Sequence, residues 1–193
     1  REVTVVLLED LIREAMSRAR AVVEEKNPEL DEALKQAVAE AVGIGAIKYP
    51  MLARENAKIV TFDWETALDF NGQASPYIQY AHVRANSILR KAGGELLDSQ
   101  PVTYELTPEE KELIDLITRL PNEVQRAAKE LKPLYIANIA YDLAKSFTDF
   151  YYACPVLQAE EPVRNFRLRL VMATRQAIKN SLALLGITAP EAM

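Results

Sequence analysis

The chain has 193 residues, 49% hydrophobic and 26% charged, with a net charge of -5; this excludes a disordered chain and leaves room for one substantial core or two small ones. Cys154 is the only cysteine and His82 the only histidine, so internal disulfides and Cys/His metal cages are excluded, and a Ser/His/Asp or Cys/His catalytic system would rest on His82 alone. No apolar run approaches the ~18 residues of a membrane span and the N-terminus lacks a signal-peptide layout, so no membrane partner and a cytoplasmic location are expected.

Arg1 to Leu7 is a β-branched run short enough for one strand. From Leu8 the period becomes helical, through Leu11, Ile12, Ala15, Met16 and Ala19, until Asn27-Pro28 stops it. A second helix follows with Leu30, Leu34, Val38, Ala41 and Val42 on its apolar face. Gly43-Ile44-Gly45 lies inside that pattern with no strand before it, so it reads as close helix packing rather than a nucleotide loop. Ile59 to Phe62 is a candidate second strand, and Asp63 a cap for the short segment Trp64 to Phe70. Asn71 to Ser75 is the best internal boundary, with Pro76 suited to the first turn of a new helix.

The second half reads as helical almost throughout. Pro76 to Lys91 ends at Gly93-Gly94, and Thr107-Pro108-Glu109-Glu110 opens a helix with a capping box. Pro121 is expected to start a new segment after a break. Leu134 to Tyr152 carries a wide apolar face, from Ile136 to Tyr151, and ends at Cys154-Pro155. The cysteine there reads as a small buried residue, since no cause for a lowered thiol pKa is visible. Pro162 to Leu185 makes a last helix with Gly186 as its cap. The expected fold is thus mainly α: a helical bundle preceded by a small mixed α/β unit.

Charge is uneven. Successive quarters to residues 50, 100 and 150 carry -3, -1 and -3, while residues 151–193 carry +2. Arg164, Arg167, Arg169, Arg175 and Lys179 make the last helix the segment a polyanion prefers. Arg164, Arg167 and Arg175 are spaced so that a face can track a phosphate backbone; the alternative is an ordinary solvated face. On the Pro76 helix, at about 100° per residue, Tyr77, Tyr80 and Arg84 fall within about 60° of one another. Two phenols and a guanidinium in line offer stacking surfaces for unpaired bases and a phosphate or base-edge contact. Ile78, Ala81, Ala85 and Leu89 border that stripe, so packing of the rings inside the bundle is the competing reading.

The segment Phe62 to Arg84, with Phe-Asp-Trp followed by Pro-Tyr-x-Gln-Tyr-Ala-His-x-Arg, resembles arginyl-tRNA synthetase, a class I aminoacyl-tRNA synthetase. Ala41 to Tyr49, the Phe-Tyr-x-Ala-Cys-Pro-Val-Leu ending at Leu157, and Leu184-Leu-Gly-Ile-x-Ala-Pro-Glu-x-Met193 resemble the same family in the same order. The resemblance implies a stem-contact region over 1–75 and a helical anticodon-binding domain over 76–193. It also implies that the His-Ile-Gly-His and Lys-Met-Ser-Lys signatures, absent from this sequence, belong to an upstream catalytic domain. Arg1-Glu2-Val3 then resembles the stretch at or just beyond the second signature, so the chain is expected to begin where the active site ends.

On this reading the chain has no catalytic residue, metal or cofactor of its own and is inactive alone, ATP and Mg serving the whole enzyme. Its partners are an arginine tRNA and its own catalytic domain, with no role for DNA. By position, Tyr77, Tyr80 and Arg84 match family residues that meet the anticodon arm, and Met193 matches a terminal methionine near the anticodon bases. Gln79 and His82 share the motif, though His82 reads more as a packing residue than as a base reader. Two departures stand out. Ile139-Ala140-Tyr141 replaces a family Tyr-Leu-Tyr, losing one stacking ring, and Ala192 replaces an arginine before the last methionine. The competing function is an independent helical interaction or scaffold module; a free-standing enzyme finds no support in a paired-carboxylate or phosphate-loop signature.

Overall fold

The computed structural model describes residues 6–93 and 101–193, and among these it forms seven helices and no strand. The helices are α1 (Leu8–Lys26), α2 (Glu32–Leu52), α3 (Trp64–Ala67), α4 (Ser75–Lys91), α5 (Pro108–Glu130), α6 (Leu134–Ala153) and α7 (Val163–Leu184). Local signals set most boundaries. Asp31 caps α2 by accepting from the Leu34 amide at 2.9 Å, and Asp63 caps α3 by accepting from the Thr66 amide at 2.8 Å. Thr107 and Glu110 form the reciprocal box at the start of α5. Gly186 takes φ 64° just past α7, letting the Ile187 amide bond back to the Leu182 carbonyl at 2.9 Å.

Two apolar clusters organise the chain. The larger gathers α4, α5, α6, α7 and the end of α2 around Phe147, Phe150, Leu143, Leu113 and Ile178, all fully buried. The smaller lies between α1 and α2, where Ala19, Val23, Val38, Ala39 and Val42 meet, with Leu68, Phe70 and Met193 packed against them. Gly43 lets α1 and α2 approach: a Cβ there would stand 2.9 Å from the Met16 amide nitrogen. Gly45 does the same for α2 and α4, since a Cβ would press on the Ser75 side chain. The Gly43-Ile44-Gly45 stretch is therefore helix packing, as its sequence context implies.

The mixed α/β unit is corrected to an all-helical one among the described residues. Residues 59–62 carry no strand pairing, and Ile59 is 90% exposed: a single β-branched run has no neighbour with which to share a ladder. Of the N-terminal run only Val6 and Leu7 are described, with Leu7 extended as it enters α1; the remainder lies outside the described residues, as does Gly94. Pro121 is a second correction, for it sits inside a continuous α5. Leu113, Leu116 and Leu120 before it, and Val124 and Ala127 after it, form one stripe against the larger cluster. Packing of that stripe offsets the carbonyl left without an amide partner.

Candidate nucleic-acid interface

Helix α4 presents two faces with different chemistry. On its outer face Tyr80 is 40% exposed, and Arg84 lies among three rings, its guanidinium carbon 4.8 Å from the Tyr80 centroid, 4.6 Å from Tyr151 and 5.6 Å from Tyr152. Cation–π attraction of this kind holds the guanidinium half-buried while Tyr151 and Tyr152 stay open at the end of α6. Beside them is a groove of about 370 Å³, lined by Arg84, Ser87, Lys91, Tyr152, Leu157 and Gln158 among others. It offers ring faces, two cations and amide groups in one place. Tyr77 is only partly open. Its hydroxyl donates to Thr148 Oγ1 at 3.2 Å and its ring lies 5.6 Å from Tyr141, so it props α4 against α6.

The inner face of α4 carries Gln79 and His82, both fully buried. Gln79 Nε2 donates to the carbonyls of Ala41 on α2, at 2.9 Å, and Thr188 on the C-terminal tail, at 2.8 Å. His82 Nδ1 meets the Pro190 carbonyl at 2.9 Å, which calls for the tautomer with its proton on that nitrogen. Burial pulls this imidazole below its usual range, against the Pro190 carbonyl and Glu191, which act to raise it. Met193 lies partly buried on the α1–α2 cluster.

The basic residues of α7 are largely committed within the fold. Arg167 is turned inward, its side chain 11% exposed, with Nε 2.7 Å from a Glu110 carboxylate that is itself fully buried, and Nη1 donating to the Pro155 carbonyl. Glu110 also accepts from the Tyr104 hydroxyl at 2.9 Å; burial first, then that carboxylate, pushes the phenol up to about 12. Arg164 Nε is buried without a hydrogen-bond partner. Arg175 leans 3.5 Å from Asn86 Oδ1, and Lys179 pairs with Glu191 at 2.9 Å. Sequence reasoning had not singled out Asn86, Lys91, Tyr151 or Tyr152 as site residues. Asn86 follows Gln79 and His82 at i+7 and i+4 on one face, a signal that was available. The two tyrosines end an apolar stripe, which masks them as core.

Among the described residues the Gly43-Ile44-Gly45 stretch is filled by α1 and Ser75, and no group of three or more His, Cys, Asp and Glu could hold a metal. No helix among them is long and apolar enough to cross a membrane.

Comparison with known proteins defines the class first. Residues 78–193 match the DALR anticodon binding domain family, and residues 1–64 match the family of the class I (R) tRNA synthetase catalytic domain. The chain is 47% identical over 189 residues to an arginine–tRNA ligase of Pyrococcus abyssi, covering 96% of this chain and 30% of that protein. A counterpart in Methanocella arvoryzae is 44% identical, covering all of this chain and 34% of the relative. The arginyl-tRNA synthetase structure from Thermus thermophilus superposes with a TM-score of 0.92 at 40% identity, covering the whole of this chain and 33% of that one. The chain belongs to the arginyl-tRNA synthetase family, of which it carries the end of the catalytic domain and the DALR anticodon-binding domain. It spans about a third of the length of the curated relatives it matches.

Proposed function

We propose that this chain grips the anticodon arm of an arginine tRNA, with the loosened loop lying against Tyr80, Arg84, Tyr151 and Tyr152 at the groove between α4 and the end of α6. The observation that carries this is the half-buried Arg84 guanidinium among three tyrosine rings, beside an open groove that also holds Lys91. Rings and guanidinium planes are the surfaces on which unpaired bases stack, each stack being worth ~1–3 kcal/mol. Tyr77 sets the height of α4, Arg175 supplies a cation further along, and Met193 lies at the end of the tail. Residues 1–75 serve as the stem-contact unit and 76–193 as the anticodon-binding domain.

In the whole enzyme the upstream catalytic domain would use ATP and Mg to activate arginine and pass it to the tRNA 3′ end, in the cytoplasm. Binding energy taken at the anticodon arm orients the tRNA for that remote step. This chain supplies grip and no acid, base or nucleophile.

The test is fluorescence anisotropy with labelled arginine tRNA. Tyr80→Ala and Arg84→Ala are expected to weaken binding about tenfold each with an unchanged melting curve, and affinity is expected to fall as salt rises because phosphate contacts release counterions. Equal affinity for a tRNA with a foreign anticodon, or no response to either substitution, refutes the proposal and favours a protein-binding role for the same surface.

A further inference from the structure

The inner face of α4 has no part in the proposed RNA surface, yet it carries three polar side chains in consecutive turns, Gln79, His82 and Asn86, all buried. Each meets the tail beyond α7. Gln79 Nε2 reaches the Thr188 carbonyl at 2.8 Å, His82 Nδ1 the Pro190 carbonyl at 2.9 Å, and Asn86 Nδ2 the Glu191 carboxylate at 2.9 Å. The residues on the helix advance by three and four, while their partners on the tail advance by two and one. An extended segment therefore runs along the helix, held chiefly through its backbone.

The same tail touches the α1–α2 pair at three points. The Gly186 carbonyl accepts from Lys48 Nζ of α2. Gln79 uses its one amide nitrogen to join Thr188 to the Ala41 carbonyl of α2. Met193 then packs on the cluster made by Ala19, Val23, Val38, Ala39 and Val42. On its other side Glu191 is tied to α7 through Lys179 at 2.9 Å.

We infer that Gln79, His82 and Asn86 are positioning residues that seat the C-terminal tail as a strap, and that this strap fastens the α1–α2 pair to the helical bundle. Two features favour a strap over incidental contact. The donors Gln79, His82 and Asn86 are buried, and the His82–Pro190 bond is buried at both ends, so breaking it leaves a desolvated group behind. The α1–α2 cluster is small and Met193 is among the side chains that cover it, while Ile187 of the same tail is buried in the larger cluster, so the tail reaches both. The coupling matters because residues 1–64 match the end of a catalytic domain and residues 78–193 the anticodon-binding domain: the strap bridges the two. It goes beyond the anticodon reading and needs no RNA to be examined.

Hydrogen exchange of the 193-residue chain, followed by mass spectrometry, decides it. Three variants are compared with the parent: His82→Leu, Asn86→Ala, and a chain ending at Ala189, which keeps Ile187 in the larger cluster. Amides of α1 and α2 and those of the tail, where present, are expected to exchange about tenfold faster in all three, while α5 and α6 keep their protection. The shortened chain leaves α4 and its contacts with α2 unchanged, so loosening of α1 and α2 in that variant has to travel through the tail. Faster exchange confined to the tail overturns the inference, as does an equal rise in every helix. The shortened chain keeps α4 intact, so a folding defect in either substitution still leaves an answer.

Discussion

At the scale of single residues, position on a helix decides whether a charge serves recognition or architecture. Arg84 and Arg167 are both drawn in from solvent, yet one lies among ring faces beside a groove and the other closes on a buried carboxylate. Removing one partner of a buried pair strands the other. Arg167→Ala is therefore expected to cost about 3 kcal/mol in urea unfolding, with the double variant Arg167→Met, Glu110→Gln recovering part of it. The α7 spacing suggested a phosphate-tracking face, and nothing in the sequence revealed that Glu110, 57 positions away, would claim its middle member. Periodicity reports which residues share a side of a helix. It is silent on which neighbour that side meets, and for the same reason Gln79 shares a motif with Tyr77 and Tyr80 while its side chain lies inside.

At the scale of elements, caps were legible and breaks were less so. The Thr107 box, the Asp63 cap and the Gly186 stop are local chemistry, written in three or four adjacent residues, and all are present as the sequence implied. Pro121 and the Ile59–Phe62 run depended on distant partners: a core stripe that carried the helix past a proline, and a neighbouring strand that does not exist among the described residues. The turn from α5 into α6 contains an opposite kind of surprise. Leu131 holds φ 54°, a left-handed conformation that disfavours side chains, and is 77% exposed, so little packing offsets the strain. Leu131→Gly is expected to raise stability by about 0.5–1 kcal/mol, read as a higher melting temperature, because relief of the strain exceeds the added freedom of the unfolded chain.

For the whole molecule, class and organisation were legible because the recognisable residues are spread from Ala41 to Met193, on helices that the periodicity marks and in the segments that begin or end them. How the parts are joined was not legible, since the joints are carbonyls and tails with no pattern of their own. Those joints give the fold a pH response. His82 is buried and held below its ordinary pKa of about 6.5, with Glu191 on the tail and Lys179 and Arg175 on α7 as its charged neighbours. A histidine lowered on folding binds fewer protons than in the unfolded chain, so its contribution is present above about pH 6.5 and is lost as acid drives the pH toward the folded value. Glu191, held low chiefly by Lys179, acts in the same direction at still lower pH. Melting temperature is expected to fall on acidification below about 6.5, and His82→Gln is expected to flatten the upper part of that curve. Helix α4 meanwhile has no idle side: rings and a guanidinium look outward, amides and an imidazole look inward, and small apolar residues fill the gap. A saturation library would find this the least forgiving stretch of the chain, with outward changes sparing abundance while removing RNA capture, and inward ones lowering both.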